Sequence, residues 1–404
     1  MVVDFRKLLK NQDCDVNVLI IGAGAAGLMA AVSAADCGAN VTVLEHKDEA
    51  GIKLALTGNG RCNYTNTDVS ADKYHYDDNS DIIEIGDISN DAAFKNLSDS
   101  NCGIGKSSEN ASCFIEKVLE QFGYEDCISF FRKLGIEPEI RHYGYDESGY
   151  VYPKGMNAAE FRDKLYQAAL QRNVEFCFGV SDAEISETVL KALAETGECS
   201  LSKADTKENA VREDGYDAVI IATGSNAYPM TGSDSSIYPV LKALGVRQRR
   251  FLPALCALYS KDERLKEMKG KRIKSEAVLT VSDDSAEIKS YNEYGEIQFN
   301  EHSISGIPVM QLSRYAAKAL NEGKKVVLTI EGHDYEIHRT AGFDRAQTCT
   351  GGIPAEDIDP LSMRHKSGIF FCGEIIDIDG KCGGYNLHFA WATGYIAGRA
   401  AAAY

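Results

Sequence analysis

The sequence feature that most constrains this chain is the glycine loop Gly22-Ala23-Gly24-Ala25-Ala26-Gly27. It follows the apolar run Asn17 to Ile21, which predicts a short buried strand, and it opens an alanine-rich segment, Ala25 to Cys37, which predicts a helix. A second strand is predicted at Asn40 to Glu45. This order is typical of a βαβ unit that binds dinucleotides, and Glu45 stands roughly 20 residues after the loop, where a carboxylate binds ribose hydroxyls.

Each glycine of the loop has its own predicted role. Gly22 permits the tight turn, Gly24 lets the backbone approach the pyrophosphate, and Gly27 lets the helix pack closely on the strand. The N–H groups and the positive dipole end at the start of the helix then face the phosphates. A glycine loop alone could also be a structural turn, but the agreement of all the neighbouring elements favours dinucleotide binding.

Composition limits the possible partners. The net charge of -17 disfavours a nucleic-acid surface, because such a surface needs clustered Lys and Arg. No apolar run reaches the roughly 18 residues of a membrane span, and Met1 to Cys14 lacks the apolar core of a secretory signal. We therefore expect a cytoplasmic protein that acts on a small molecule, without a nucleic-acid or membrane partner; the oligomeric state stays open. The 12 cysteines show no zinc-ligand spacing, so no metal site is predicted.

The middle of the chain alternates between helical spacing and polar segments. The acidic, Ser- and Asn-rich segment Val69 to Asn110 predicts an excursion over the surface, and the charged segment Ser186 to Asp214 predicts an outer helix and hairpin. Apolar spacing predicts helices at Cys113 to Gly123, Asp126 to Leu134 and Ala158 to Arg172, and a strand at Val174 to Val180.

The character changes to short strands between Leu252 and about Ile337, with candidates at Glu276 to Val281, Ala286 to Tyr291 and Glu296 to Phe299. A strand at Tyr216 to Ile221 precedes this β-rich insert, and a strand at Gly368 to Cys372 and a helix at Leu387 to Ala402 follow it. The chain is thus expected to leave an α/β domain and return to it. The predicted divisions are 14–235 for the first part of the dinucleotide-binding domain, 236–337 for a substrate domain and 338–404 for the return segment.

Later strand ends favour FAD over NAD, because FAD also carries a ribityl chain and an isoalloxazine that must be held. Ala222-Thr223-Gly224 and Cys372-Gly373-Glu374 combine glycines, which allow close backbone approach, with a carboxylate that can accept from ribityl hydroxyls. The N-terminus of the last helix, opened by Gly383 to Leu387, could stabilise negative charge on the reduced flavin. The segment Lys53 to Asn63 suits a loop along an anionic cofactor; the alternative is a solvated surface turn.

Taken together, these motifs resemble the BaiN/aminoacetone oxidase-like NAD(P)/FAD-dependent oxidoreductases. The similarity is carried by the glycine loop and by Thr57-Gly58-Asn59-Gly60-Arg61-Cys62-Asn63, Ile304 to Pro308, Thr340 to Phe343, and Gly373 to Leu387. It implies an α/β fold in which a Rossmann-like FAD-binding domain of the glutathione reductase type is interrupted by a β-rich, barrel-like substrate domain. The residues expected to bind FAD are Gly22, Gly24, Ala25, Ala26, Gly27, Glu45, His46, Lys53, Thr57, Gly58, Gly60, Arg61, Cys62, Asn63, Val180, Ala222, Thr223, Gly224, Gly373, Glu374, Asn386 and Leu387.

Two departures from the family concern the surroundings of the flavin. Members usually carry a helical subdomain after the segment that matches Gln311 to Arg314, whereas here only Asn321 to Tyr335 separates that helix from the return sequence. A cap over the flavin is therefore expected to be missing or replaced by the excursion after Val69. The family also often has Gln-Trp where this chain has His388-Phe389.

His388 and Tyr385 are the candidate catalytic residues. A histidine near the flavin could protonate the substrate because its unperturbed pKa of about 6.5 lies close to neutrality. The alternative for His388 is a core histidine that is hydrogen-bonded to backbone, and most tyrosines of this chain must be packing residues. The segment His142-Tyr143-Gly144-Tyr145 could form an aromatic wall of the pocket.

The favoured activity is hydride transfer from NADH or NADPH, through the flavin, to an unsaturated small molecule, for which the family resemblance suggests a steroid or bile-acid-like C=C bond. Because Tyr228 to Ser236 lacks the spacing of a second glycine loop, reductant and substrate are expected to visit one flavin face in turn. The alternatives are an amine or aminoketone oxidase that uses oxygen, and a flavin-binding redox partner protein without turnover.

Overall fold

The computed structural model describes residues 16–76, 107–143, 146–195, 215–282 and 288–404. The helices of this part of the chain are α1 (Ala25–Asp36), α2 (Ile52–Gly60), α3 (Ser107–Gln121), α4 (Tyr124–Lys133), α5 (Ala158–Leu170), α6 (Asp182–Glu195), α7 (Tyr238–Ala243), α8 (Arg264–Met268), α9 (Ile307–Asn321) and α10 (Tyr385–Ala401). None of these helices is long and apolar enough to cross a membrane.

The two longest strands of the same residues lie in the insert. They are β1 (Asn17–Ile21), β2 (Asn40–Leu44), β3 (Thr65–Asn66), β4 (Tyr74–His75), β5 (Pro138–Tyr143), β6 (Asp146–Pro153), β7 (Glu175–Cys177), β8 (Ala218–Ile221), β9 (Arg249–Ala254), β10 (Leu258–Ser260), β11 (Arg272–Ser282), β12 (Ile288–Phe299), β13 (Ser303–Ser305), β14 (Lys325–Ile330), β15 (His333–Thr340), β16 (Thr348–Gly352), β17 (Ile358–Asp359), β18 (Arg364–His365), β19 (Phe370–Phe371) and β20 (Asp379–Gly380).

A seven-stranded sheet with the order β17-β18-β19-β8-β1-β2-β7 forms the centre of the α/β domain. Strand β1 is parallel to β2 and to β8, and all four residues of β8 are buried, as expected for strands covered on both faces. Ile21 pairs with both Leu44 and Ile221, and Ile221 also pairs with Phe371. The predicted βαβ unit is confirmed, and the carboxyl ends of four strands are level with one another.

Helices α1 and α10 pack against each other at unusually short distance. A Cβ atom added at Gly394 would lie 2.5 Å from the carbonyl oxygen of Ala26, and one at Gly398 would lie 2.3 Å from that of Ala30. Small residues on both helices therefore permit the approach that joins the return segment to the first βαβ unit.

The insert folds into a closed barrel with the strand order β10-β13-β12-β11-β14-β15, because β15 pairs back onto β10. Helix α9 buries Val309, Leu312 and Ala316 in the same apolar cluster as the barrel strands. The predicted fold class, a Rossmann-like domain interrupted by a β-rich barrel, is confirmed. We keep the divisions at 14–235, 236–337 and 338–404 as a proposal, and note that β15 continues to Thr340.

One strand prediction in the insert is wrong. Ala286 to Tyr291 and Glu296 to Phe299 were expected as two strands separated by turn residues, but Ile288–Phe299 is one continuous strand; residues 286 and 287 lie outside the described residues. Gly295 lies opposite Ser275 within the ladder between β11 and β12. Pairing along the whole hairpin overrides the local turn tendency of Asn292 and Gly295.

The polar segments differ from their predictions where they are described. At the start of the expected excursion, β4 pairs with β20 instead of lying free on the surface, and residues 77–106 lie outside the described residues. The predicted outer helix is α6, but its residues Val189, Ala192 and Leu193 are buried in the core. The hairpin predicted beyond it, at 196–214, lies outside the described residues.

Candidate active site

The level carboxyl ends of β1, β2, β8 and β19 bring four separate segments together. They are the loop after Ile21, Glu45 after β2, Ala222–Gly224 after β8 and Cys372–Glu374 after β19. Ligands of open α/β sheets bind at this edge, outside the carboxyl ends of the strands. The parallel register therefore places the predicted cofactor residues in one cleft.

This cleft has a volume of about 730 Å³ and extends from the sheet edge to the barrel. Most of the expected cofactor residues line it: Gly22, Gly24, Ala25, Ala26, Glu45, His46, Lys53, Thr57, Gly58, Arg61, Asn63, Ala222, Thr223, Gly224, Gly373, Glu374, Asn386 and Leu387.

The glycine loop has the geometry that its predicted roles require. Gly22 adopts φ +99°, and a Cβ there would lie 2.7 Å from the carbonyl oxygen of Ala222. A Cβ at Gly27 would lie 1.9 Å from the carbonyl oxygen of Gly22, so α1 can approach β1 only with glycine at this position. A Cβ at Gly24 would meet no atom within 4 Å. Gly24 is also the N-cap of α1 and supplies no side-chain cap, which leaves the first N–H groups of the helix to a ligand.

Glu45 is fixed at the edge of the cleft by two backbone donors. Its Oε2 accepts from the N–H of Ala23 at 2.8 Å, and its Oε1 accepts from the N–H of Lys47 at 2.9 Å. Each carboxylate oxygen keeps a further lone pair, so Glu45 can still accept from ribose hydroxyls.

The segment Thr57 to Asn63 is a compact turn and not a regular continuation of α2. Gly58 and Asn59 both adopt left-handed conformations, with φ of 58° and 53°. The N–H of Cys62 donates to the carbonyl of Thr57 at 3.1 Å and closes the turn. The guanidinium carbon of Arg61 lies 5.5 Å from the ring centroid of Tyr152. The turn therefore holds backbone and a cation along one wall of the cleft.

Lys53 and Glu374 connect two walls of the cleft. Lys53 Nζ lies 2.6 Å from Glu374 Oε2, which also accepts from Ser225 Oγ at 3.1 Å. Both side chains are largely buried, at 24% and 19% exposure. The ammonium group orients the carboxylate, and the carboxylate keeps the ammonium group within the cleft.

We expect the variants Lys53→Gln and Glu374→Gln each to weaken FAD binding about tenfold, since each loses one charge-assisted hydrogen bond and leaves its partner unpaired. The double variant should lose little more than either single variant, because the two side chains act as a unit. Fluorescence titration of apoprotein with FAD measures these affinities. Losses that simply add would contradict the pairing.

The N-terminus of α10 forms the opposite end of the cleft. Gly384 is its N-cap at φ 94°, and a Cβ there would lie 2.5 Å from the carbonyl oxygen of Thr65. Within the described part of the chain, no side chain caps the helix. The Asn386 side chain is bound to the backbone of Gly380, accepting at 2.8 Å and donating at 2.9 Å. The first N–H groups of α10 are thus directed towards the cleft, where they favour negative charge.

Four expected cofactor residues do not line the cleft. Gly27 acts in packing, as described above, and Gly60 adopts φ +79° within the turn. The Cys62 thiol is buried, which raises its pKa to about 12 and makes it an inert packing group. Val180 donates its N–H to the carbonyl of Glu45 at 3.2 Å and so supports the edge strand. These positions hold the cleft in shape without facing it.

The structure corrects the prediction that His388 acts on substrate. His388 is fully buried and does not line the cleft. Its Nε2 donates to the carbonyl of Phe122 at 3.1 Å, and its Nδ1 accepts from Thr65 Oγ1 at 2.8 Å. The physical reason is helix geometry: Leu387 and Ala390 lie three positions apart and face the cleft, whereas His388 is turned towards α3. His388 therefore matches the alternative interpretation of the sequence, a core histidine that is hydrogen-bonded to backbone.

Tyr385 is corrected in the same way. It is buried and does not line the cleft, and its ring makes an edge-to-face contact with Tyr74 at 6.1 Å. The hydroxyl of Tyr74 donates to the Tyr385 carbonyl at 3.2 Å. Tyr385 therefore joins α10 to β4 as a packing residue.

We expect His388→Gln to keep its FAD and to change acid stability. Burial lowers the pKa of His388 to about 4, whereas the unfolded chain protonates it near 6.5. The contribution of His388 to the free energy of unfolding is therefore fully present above pH 6.5. As the pH falls towards 4, about 3 kcal/mol of this stability is lost. Glutamine can make the same two hydrogen bonds without titrating. The free energy of unfolding, measured with denaturant, should therefore decline less between pH 6.5 and pH 4 in the variant than in the wild type. An equal decline, or loss of turnover at neutral pH, would contradict this account.

Several residues of the cleft carried no signal in the sequence. Leu255, Met310, Arg345 and Gln347 line it from the barrel side, and Tyr150 and Tyr152 line it from β6. Ile307, which also lines it, did belong to one of the family-like motifs. Leu255, Arg345 and Gln347 lie on connections outside the long helices and strands, Met310 lies on α9, and the two tyrosines lie on β6, so no common motif marks these residues. Of the expected aromatic wall, Tyr143 contacts Tyr150 at 4.9 Å, while Gly144 and Tyr145 lie outside the described residues.

The residues present fit an FAD molecule. Asn63 Oδ1 and Thr223 Oγ1 are buried at the cleft without a hydrogen-bond partner among the described residues. Buried polar atoms are rarely left unpaired, so both are suited to a bound polar molecule. The space over Gly24 suits a pyrophosphate, and Glu45 suits a ribose. The N-terminus of α10 suits an electron-rich ring edge.

Known proteins resemble this chain over most of its length. Residues 16–85 and 93–400 match the family described as HI0933-like protein Rossmann domain. The 3-dehydro-bile acid delta(4,6)-reductase of Clostridium scindens is 30% identical, over 95% of this chain and 98% of the relative. The ribosomal RNA dihydrouridine synthase of Haemophilus influenzae is 22% identical, over 93% and 96%. Among solved structures, the 3-ketosteroid-delta4-(5alpha)-dehydrogenase of Rhodococcus jostii covers 97% of this chain and 98% of its own, with 15% identity and a TM-score of 0.46.

The Clostridium scindens reductase carries segments that this chain lacks, since their alignment extends over 462 positions and this chain has 404 residues. In this chain, α9 is followed by β14 after only residues 322–324. The helical subdomain that members of the resembled family usually carry at this point is absent from this connection.

Proposed function

This chain belongs to the HI0933-like Rossmann family, and we propose that it is an FAD-dependent reductase driven by NADH or NADPH. It would pass a hydride equivalent to a C=C bond of a small, steroid-like acceptor. The observation that carries the proposal is a cleft that joins the dinucleotide loops at the sheet edge to Met310 and Leu255 at the barrel. FAD, when bound, supplies the two-electron chemistry, and the protein supplies binding and orientation.

The names of both relatives support reduction of a carbon–carbon double bond. One relative is a delta(4,6)-reductase of a 3-dehydro bile acid, and the other makes dihydrouridine, a reduced uridine. The shared chemistry is addition of two hydrogens to a C=C bond. The net charge of -17 opposes an RNA acceptor, so the small molecule is favoured.

The same cleft supports the proposal that reductant and acceptor share one binding place. Tyr228, Thr231 and Gly232 occupy the stretch where a second nucleotide loop would have to begin, and they line this cleft instead of a site of their own. We therefore propose a ping-pong sequence, in which the oxidised dinucleotide leaves before the acceptor enters.

We assign the proton donor to Tyr152, because hydride transfer to one carbon of a C=C bond requires a proton for the other. Tyr152 lines the cleft, and burial and the hydroxyl of Tyr143 raise its pKa above the usual value, so its Oη stays protonated at neutral pH. The two hydroxyl oxygens lie 3.5 Å apart. Tyr143 is half-buried and can return a proton from solvent to Tyr152.

Two cations make loss of this proton less costly. The guanidinium carbons of Arg61 and Arg141 lie 5.5 and 5.1 Å from the ring centroid of Tyr152. Their positive charge stabilises the phenolate that remains after the proton has moved. Tyr152 thus combines a donor, a return path and charge compensation.

Consumption of NADPH under air, with and without an enone acceptor, separates the proposed reductase from the oxidase alternative. A reductase should consume NADPH in proportion to the enone and form little peroxide. An amine or aminoketone oxidase should instead form one peroxide per amine oxidised. A redox partner protein should convert neither the enone nor the amine. Stoichiometric peroxide from an amine would reject the reductase.

A further inference from the structure

The wall of the cleft that faces the barrel combines three apolar side chains with two polar ones. We call this set the barrel rim: Leu255, Ile307, Met310, Arg345 and Gln347. Leu255 follows β9, Ile307 and Met310 belong to the first turn of α9, and Arg345 and Gln347 precede β16. None of the rim residues belongs to the glycine loop or to the other segments that converge at the sheet edge.

Arg345 is the charged residue of the rim. Its side chain is exposed, and no carboxylate of the described residues forms an ion pair with it. The two lysines of the cleft differ, since Lys53 pairs with Glu374 and Lys381 pairs with Glu293 at 3.2 Å. In a chain with 60 acidic and 43 basic side chains, a guanidinium without a carboxylate at a cleft is available for an external anion.

The backbone holds the rim in a defined position. Leu255 adopts φ +50°, which is unfavourable for a residue with a side chain and is maintained only where the surroundings fix it. Its carbonyl accepts from the N–H of Gln347 at 3.4 Å, and the adjoining Ala254 pairs with Thr348 between β9 and β16. The strained turn thus places an apolar side chain beside the segment that carries Arg345.

We propose that the barrel rim binds an amphipathic anion. Arg345 receives a carboxylate or phosphate oxygen pair, and Leu255, Ile307 and Met310 cover the apolar body of the same ligand. A guanidinium suits this task because it donates two parallel hydrogen bonds to such groups. This inference rests on the proposed function for the identity of the ligand: the anionic group belongs either to the acceptor or to the nicotinamide dinucleotide.

Isothermal titration of the oxidised holoenzyme tests the proposal without any turnover. The probes are the steroid carboxylate cholate, its uncharged methyl ester, NADP⁺ and NAD⁺. Arg345→Ala should weaken binding of the anion that it holds about tenfold or more, and Arg345→Lys should restore part of the affinity. Arg250→Ala is the matched control, because Arg250 is also exposed and lies outside the cleft lining.

The pattern of losses identifies the ligand. If Arg345→Ala binds cholate more weakly but binds the methyl ester unchanged, the anionic group belongs to the acceptor. Loss for NADP⁺ alone assigns it to the 2′-phosphate, and equal loss for NADP⁺ and NAD⁺ assigns it to the pyrophosphate. The inference is overturned if Arg345→Ala binds all four probes as the wild type does, or if the wild type binds none of the three anions. If Arg345→Ala changes binding of these probes as expected but the enzyme does not reduce an enone, the proposed function is refuted and the inference about Arg345 stands.

Discussion

Replacement of Gly24 by aspartate is expected to give a stable protein that purifies without flavin. A Cβ at Gly24 meets no atom within 4 Å, so the fold has room for the new side chain. Aspartate is also a favourable N-cap and would bind the free N–H groups of α1. Those groups and that space are the ones proposed for the pyrophosphate, and the added negative charge repels it. FAD affinity should fall about a hundredfold or more.

The matched control is Gly27→Ala, three residues further on in the same loop. Its Cβ would lie 1.9 Å from the carbonyl oxygen of Gly22, so α1 must move away from β1. Overpacking of this kind costs about 1–3 kcal/mol or more, and the melting temperature of the apoprotein should fall. Flavin absorbance at 450 nm and thermal unfolding separate the two effects. A Gly24→Asp protein with one FAD per chain would show that the loop does not bind the pyrophosphate.

Tyr152→Phe is expected to slow reduction of the enone by about 10²- to 10⁴-fold while leaving reduction of the flavin by NADPH unchanged. The variant keeps the aromatic ring and its contacts with Arg61 and Arg141 and removes only the proton donor. Anaerobic stopped-flow measures the two half-reactions separately. Reoxidation by ferricyanide, which takes electrons without needing this proton, should proceed as in the wild type.

Two further tyrosine variants control this experiment. Tyr143→Phe removes the return path and should lower turnover less than Tyr152→Phe. Tyr294→Phe changes a 59% exposed tyrosine of the barrel and should have no effect. If wild type and Tyr152→Phe reduce the enone at equal rates, Tyr152 is not the proton donor. If the variant instead slows reduction of the flavin by NADPH, Tyr152 has a binding role.

The sequence predicted those parts of the site that local rules determine. The order of strand, glycine loop, helix and carboxylate fixes one edge of a parallel sheet, and Ala222–Gly224 and Cys372–Glu374 follow strands of the same sheet. Glycine is required at position 27 by a close contact with Gly22 in the same loop. It is required at position 22 by a close contact with Ala222, which follows the neighbouring strand β8. Each of these motifs follows a strand of the same parallel sheet, which is why eighteen of the expected residues line the cleft.

The direction in which a side chain points on a helix could not be read as reliably. His388 follows Leu387, which lines the cleft, but one residue turns the side chain by about 100° towards Phe122 and Thr65. The partners that bind His388 lie more than 260 positions away in the sequence. Only the packing of α3 and β3 against α10 shows that the histidine belongs to the core.

The barrel side of the cleft could not be predicted because its residues share no motif. Leu255, Met310 and Arg345 come from three segments that meet when β15 closes the barrel onto β10. Tyr152 was hidden for a similar reason, since its pairing with Tyr143 depends on the register between β5 and β6. The residues proposed to bind the cofactor thus follow local motifs, whereas those proposed to bind the acceptor come together only when the barrel closes.

An anaerobic single-turnover experiment tests whether this protein is a flavin reductase driven by NADH or NADPH. The purified protein is mixed with one equivalent of NADPH or NADH, and a 3-keto steroid with a conjugated C=C bond is added after the flavin absorbance has settled. We predict that at least one dinucleotide bleaches the 450 nm band of bound FAD and that the enone restores it, with one saturated product formed per flavin. A protein that cannot be loaded with FAD, or whose flavin stays oxidised with both dinucleotides, would contradict the account.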